Sequence, residues 1–375
     1  LTIFGLWLFE ASVNHKPTTN NQNLMKDIFL KIKGHLAVGL PFAVYSKPGS
    51  DNLTSVFQKD DGHFNQSDYN KGGFVFAPFN GQAVFIPFDN AVIINEKIEE
   101  PTIKKLQPKS FDIDKEAKSK FEALVAKSIE AIETGQFKKL VTSRTEAVEE
   151  EDLEVTAIYE KLLNAYPAAF RYCFYSPQSG LWIGATPEQL LKVENNTVHA
   201  VALAGTQLFT DDEDVIWEAK EKDEQQLVTD YILKGLSEHT ADVRTTEPYT
   251  FRAGNLVHIK TDISAEIKAG KSISEVINAL HPTPAVCGLP RADAKEFLLK
   301  NEGYDREFYS GYLGELNADA ITGAPITDLF VNLRCMKIID NVAHLYVGCG
   351  ITKDSNPEKE FFETVNKSMT MRRVL

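Results

Sequence analysis

FRYCFYSPQSGLWIGATP, residues 170–187, places two apolar, aromatic-rich strands in direct succession. No helix separates them, so the steady strand–helix–strand rhythm that a parallel sheet requires is broken here. Upstream, FKKLVTSRTEAV (137–148) alternates like a strand and a helical stretch follows near 155–165. A clear amphipathic helix precedes both. From Asp114 to Thr134, the residues Phe121, Leu124, Val125, Ile129 and Ile132 keep i, i+3, i+4 spacing, and Gly135 closes the run. Residues 1 to about 108 hold short apolar runs (AVGLPFAVYS, GGFVFAPF, QAVFIPF) broken by Gly, Pro, Asn and Asp, a β-rich pattern. The polar, proline-punctuated IEEPTIKKLQPKS (98–110) reads as a linker or edge connection. There is no internal repeat. The expectation is an α+β fold with largely antiparallel sheets.

At 375 residues the chain exceeds what one simple core holds, so two lobes or one large unit are expected. An apolar fraction of 43% with 25% charged residues is that of a soluble globular protein. Four scattered cysteines without a CxxC argue against zinc and against a disulfide framework, and fit a reducing cytoplasm. No apolar run reaches the roughly 20 residues of a membrane span. The opening LTIFGLWLFEASV lacks a basic leader and an initiating Met and reads as an edge strand or an uncertain start, not a signal peptide. A net charge of −13 disfavours nucleic acid as a partner. It also means that an anionic substrate would have to be held by local cations.

HPTPAVCGLPR (281–291) is the stiffest loop of the chain. Pro282, Pro284 and Pro290 exclude a helix and a central strand. Small Ala285 and Gly288 in its middle would let something come close to the backbone.

Several charged residues occupy unusual slots. Glu224, Leu227, Val228 and Tyr231 share i, i+3, i+4, i+7 spacing, so Glu224 either starts a helix and faces solvent or is a metal ligand on a buried stripe. In the last helix Ser355 and Glu358 have capping-box spacing. There Glu360, Glu363 and Lys367 share one face, with Phe361, Phe362, Val365 and Met369 behind. A solvated Glu–Lys pair is the plain alternative. Glu188 follows a Thr-Pro step at a strand exit, and Lys139 opens the strand KLVTSR; either could be a surface residue. LYVGCGIT runs into Gly348 and Gly350, whose bare amides suit a carboxylate or phosphate. His258 lies in an alternating strand and could be a core histidine. Arg334, flanked by apolar residues on a strand, needs an anionic partner.

Together KLVTSR, GATPEQLL, ALAGT, EKDEQQLV, LHPTPAVCGLPR, YDREFYSGYLGEL, VNLRCMKI, VGCGI and DSNPEKEFFETVNK resemble, in order, the chorismate-utilising enzymes typified by anthranilate synthase component I. The resemblance implies two packed α/β sandwich layers with the active site in the cleft between them. It divides the chain into a variable β-rich part, residues 1–110, and a chorismate-binding region, residues 111–375, within one integrated unit. It implies Mg²⁺ held by Glu224 and Glu363, with Glu360 as a nearby or water-mediated neighbour. Lys367, Arg334, Tyr309, Gly205, Gly348 and Gly350 are assigned to the substrate's carboxylates, and Thr206, His258 and Ala285 also join the substrate-binding set.

Within that family, Lys139 stands where amine-transferring members carry Gln, and Ala204 where others carry a nucleophilic Lys. Ala285 matches the small residue of the isochorismate and salicylate synthases. The implied activity is an isomerase, isochorismate synthase, feeding menaquinone or siderophore synthesis. Lys139 would be the base that activates water and Glu188 the acid, its pKa raised. Salicylate synthase is the nearest alternative, and an aminating synthase subunit a more distant one. A cytoplasmic monomer is expected, with no glutaminase subunit and no membrane partner.

Overall fold

In a computed structural model, residues 21–65, 70–98, 106, 111–209, 215–253 and 256–375 are described. The apolar opening segment and most of the 98–110 linker lie outside them. Two nine-stranded sheets form the centre. The first contains β1 (Phe42–Ser46), β2 (Asn52–Gln58), β5 (Ala91–Lys97), β6 (Lys139–Glu149), β7 (Phe170–Ser176), β8 (Gly180–Thr186), β14 (Gly288–Leu289), β17 (Cys335–Ile339) and β18 (Val342–Ile351). Its order is β14-β6-β18-β17-β8-β7-β1-β2-β5.

The second contains β3 (Gly73–Ala77), β4 (Val84–Pro87), β9 (Gln189–Glu194), β10 (Thr197–Leu208), β11 (Thr240–Thr245), β12 (Tyr249–Ala253), β13 (Leu256–Ile267), β15 (Tyr312–Leu316) and β16 (Ile326–Val331). Its order is β11-β13-β10-β9-β16-β15-β3-β4, with β12 also on β13. The decisive pair, β7 and β8, is an antiparallel hairpin with Phe174 opposite Trp182. Pairings throughout both sheets are antiparallel, as the sequence implied.

The sheets face each other across an aromatic core in which Tyr45, Phe170, Tyr172 and Trp182 of the first meet Phe74, Phe76 and Phe330 of the second. Helices cover the outer faces. On the second sheet, α4 (Ala219–Ser237) and α5 (Ile273–Leu280) bury Val228, Ile232, Val276 and Leu280. On the first, α1 (Asn21–Val38) and α3 (Val155–Ala165) bury Ile28, Ile32, Tyr159 and Leu162. Three more helices, α2 (Lys115–Glu133), α6 (Arg291–Asn301) and α7 (Pro357–Arg372), close around β6 and β18.

The helix α2 forms as its spacing implied: Asp114 caps it by accepting from the Glu116 and Ala117 amides, and Phe121, Val125 and Ile132 are buried. Helix α1 stands where a β-rich pattern was expected. Met25, Ile28, Ile32 and Leu36 make a helical stripe on the first sheet, and that period outweighs the surrounding β signals.

Candidate active site

Two of the links by which the chain crosses from one sheet to the other carry charge. Glu188 lies in the link between β8 and β9. Arg334 lies in the link between β16 and β17 with a left-handed backbone (φ 47°), not on a strand as its apolar neighbours suggested. Backbone bonds lace the crossings together: Ala185 N–H donates to Arg334 O at 3.0 Å and Val331 N–H to Glu188 O at 2.9 Å. The two charges are therefore fixed by the same junction.

Lys139 is at the start of β6, and its Nζ lies 2.7 Å from Glu224 Oε1. On α7, Lys367 Nζ lies 2.6 Å from Glu363 Oε1 and donates to Gly348 O at 3.0 Å. Burial pushes the Glu188 carboxyl up to about 6, against the pull of Lys139, Arg334 and Lys367. Burial lowers the Arg334 pKa, and Tyr309, Glu363 and Glu188 oppose that. Burial raises Glu360; Ser355 opposes it and Glu363 adds to it. Carboxylates and cations thus alternate from Glu224 through Lys139, Glu188 and Lys367 to Glu363, with Arg334 acting on Glu188 and Glu363. This local cationic group can hold an anion although the chain is acidic overall.

Gly348 and Gly350 sit inside β18, paired with Ser143 and Val141, so the strand does not end at them as expected. Their missing side chains supply room. A Cβ on Gly348 would lie 2.6 Å from Thr142 O and 2.9 Å from the Tyr309 hydroxyl, and one on Gly350 would lie 3.0 Å from Lys139 Cε.

The proline-rich segment also needs its small residues, for a different reason from the one expected at Gly288. There the backbone has φ +143°, and a Cβ would be 2.5 Å from Lys139 O. What comes close is β6 itself: Gly288 pairs with Leu140 and Leu289 with Lys139. The segment is an edge strand that clamps the lysine-bearing strand. Ala285 is half-buried just before that clamp.

Gly205, Thr206 and His258 form a second group on β10 and β13. The β10 register shifts between Ala204 and Thr206, Gly205 takes φ +71°, and its carbonyl is 3.2 Å from His258 Nδ1. The Thr206 side chain is outside the described residues. Helix α4 joins the two groups. Its buried face runs through Gln225, Val228, Thr229, Ile232 and Leu236, so the expected stripe is one position off and Glu224 lies on its half-buried flank. The deepest position accepts Gln225 because its amide donates to Thr229 and Thr261 hydroxyls.

One turn before Glu224, Glu221 was missed by the sequence reading. Its Cβ would be 3.1 Å from a Cβ on Gly205, and its Oε2 is buried without a hydrogen-bond partner. The i, i+3 spacing from Glu224 was the available signal.

The last helix also differs from expectation in detail. Its cap is Asn356, which accepts from Lys359 N–H, while Ser355 Oγ instead accepts from Thr352 N–H. Its buried face is Phe361, Thr364, Ser368 and Met371; Phe362 is exposed beneath Lys118. Thr364 can be buried because it donates to Phe361 O and accepts from Arg144.

The four carboxylates therefore come as two i, i+3 pairs, Glu221/Glu224 on α4 and Glu360/Glu363 on α7. Among the described residues no three His, Cys, Asp or Glu side chains converge into a closed metal cage. Mg²⁺ does not need one, since it keeps several waters and takes one or two protein carboxylates. Hard oxygen donors and the unpartnered Glu221 oxygen fit such an ion.

The sequence matches the chorismate binding enzyme family over residues 89–375. It is 30% identical over 273 residues to the salicylate biosynthesis isochorismate synthase of Pseudomonas aeruginosa, covering 70% of this chain and 56% of that protein. It is 27% identical over 264 residues to isochorismate synthase EntC of Escherichia coli, covering 68% and 66% respectively. The chain thus spans less than two thirds of the length of both relatives. Its fold matches MenF, the menaquinone-specific isochorismate synthase of Escherichia coli, with a TM-score of 0.73, 20% identity and coverage of 89% and 88%. A family match that takes in both crossings, both carboxylate helices and the clamped lysine strand leaves one conclusion: this chain belongs to the chorismate-binding enzyme family.

Proposed function

We propose that this chain is an isochorismate synthase that converts chorismate to isochorismate by adding water at C2 and losing the C4 hydroxyl. The feature that supports the reading is a lysine within electrostatic reach of a buried carboxyl: Lys139 opposes the burial that raises Glu188 to about 6. A lysine is a base and a protonated carboxyl an acid, and the reaction needs one of each. Lys139 takes a proton from water as the oxygen adds at C2, and Glu188 gives its proton to the departing C4 hydroxyl. Arg334 and Lys367 hold the substrate carboxylates. Tyr309, within reach of the space above Gly348, borders them. Ala285 leaves room beside the lysine strand.

Glu224 and Glu363, with Glu221 and Glu360 as neighbours, would hold Mg²⁺, which when bound draws electron density toward the C1 carboxylate of chorismate. Lys139 and Lys367 would then leave the carboxylates they now face, and both become available to substrate. No glutaminase subunit is needed, because the nucleophile is water.

The test is incubation of the purified chain with chorismate and Mg²⁺, with chromatography of products and a pyruvate assay. Isochorismate without pyruvate, abolished by EDTA, is the expected result. Salicylate with equimolar pyruvate would assign the salicylate synthase reaction instead. Amination by added ammonium, or no turnover of chorismate, would overturn the proposal.

A further inference from the structure

The geometry points to Glu302 and Arg306 as a positioning pair that locks the Lys139 strand to the 281–291 segment and so sets where the Lys139 amine stands; this rests on the isochorismate synthase reading. The pair is an i, i+4 ion pair at 2.6 Å whose side chains are 2% and 1% exposed. Such a pair is a poor way to gain stability, because removing two charges from water costs about as much as their attraction returns. Its value lies in what else it holds.

Besides their bonds to each other and a long one from Arg306 Nη1 to Ser310 Oγ at 3.4 Å, the arms of the pair reach toward β6 or the segment beside it. Glu302 Oε1 accepts from the Ser143 amide and hydroxyl, both at 2.8 Å, and Oε2 accepts from Arg306 Nε at 2.7 Å. Arg306 Nη2 donates to Val141 O at 2.6 Å, and Nη1 to Val286 O at 2.8 Å. One planar guanidinium therefore bridges the third residue of β6 to the residue after Ala285. Tyr304 adds a hydroxyl bond to Ser143 Oγ at 2.7 Å.

The same two stretches also meet through the backbone. Val141 N–H donates to Cys287 O and Lys138 N–H to Leu289 O, both at 2.8 Å. Lys139 lies between these bonds, with Gly288 pressed against its carbonyl and Gly350 against its side chain. The β14 strand is only Gly288–Leu289, too short to fix register by itself. Arg306 supplies the missing constraint from the side. Lysine could not replace it, since a point charge cannot bond two carbonyls and a carboxylate in one plane.

Loss of the fork should let β6 and the segment shift relative to one another. A misplacement of about 1 Å at a reacting group can cost on the order of 100-fold in rate. The variants to measure are R306K and the double substitution E302L/R306M, which removes both charges together. Chorismate turnover, KM, the solvent deuterium isotope effect on kcat and the thermal midpoint are read for each. The expected result is a folded protein with kcat down about 10- to 100-fold, KM within about threefold, and a larger isotope effect because proton transfer has become slower.

Folded variants with kcat within twofold of the parent would overturn the assignment. So would a rate loss that merely tracks the unfolded fraction with an unchanged isotope effect, or failure of both variants to fold, since each marks a purely structural pair. If the parent chain itself does not turn over chorismate, the functional reading fails first, which the parent measurement reports separately.

Discussion

The two ends of the candidate proton path are built by opposite means. Lys139 stands on a regular strand bonded on both sides, β14 on one edge and β18 on the other, and its charge is matched by Glu224 at 2.7 Å. Glu188 stands in a link between sheets, half-buried and surrounded by cations that ought to ionise it, yet burial wins and its carboxyl rises to about 6. One end is fixed by backbone and neutralised by a partner. The other is fixed by a junction and tuned by desolvation. Two ordinary side chains are thus set apart by placement, one by a paired charge and the other by burial.

The largest effect should come from breaking the lysine end. Lys139→Ala removes the base and should lower kcat by about 10²–10⁴ while leaving chorismate binding, followed by calorimetry, nearly intact. Near-normal kcat would make Lys139 a surface strand lysine.

Glu188→Gln should cost less, on the order of 10², and should slow the conversion in both directions equally, since the equilibrium constant cannot change. It also sharpens the contrast in pH. The acid works protonated, so forward kcat/KM should fall as pH rises through about 6, and Glu188→Gln should erase that limb. The linked stability effect has the same sense. Glu188 is raised from 4.5 to about 6, so its stabilising contribution is complete below 4.5 and lost as pH passes 6. A parent thermal midpoint with the same pH slope as the Gln variant in that window would contradict the assignment.

The smallest effect tests the clamp. Gly288→Ala puts a Cβ 2.5 Å from Lys139 O at a φ of +143°, and should destabilise the fold by about 1–3 kcal/mol. Thermal unfolding measures it. An unchanged midpoint would mean that the segment moves aside without cost.

Elements with strong local signals were legible in the sequence. The α2 stripe, the successive strands β7 and β8 and the largely antiparallel α+β class follow from period and punctuation, while the two packed layers came with the family resemblance. The α1 helix was also encoded, but its stripe sat among β-like runs and was passed over. At the site, the residue types at Lys139, Glu188, Glu224 and Glu363 could be singled out because charge on an apolar pattern is unusual. Their partners could not. Whether Glu224 meets Lys139, or Arg306 meets Val141 and Val286, depends on pairing across the whole chain, which no local period records. The helix faces were read one position off for the same reason: buried Gln225 and Thr364 look polar until their hydrogen-bond partners are known.

The placement of β3 has a consequence for how the chain is made. Its strand sits between β4, which follows closely, and β15, with Ala77 opposite Tyr312. During synthesis at about 5–20 residues per second, β3 therefore waits roughly 10–50 s for its second neighbour to leave the ribosome. Phe74 and Phe76, fully buried in the finished protein, spend that interval without β15 beside them, and Phe76 without its stacked neighbour Phe308. The newborn chain must carry an incomplete sheet through most of its own translation.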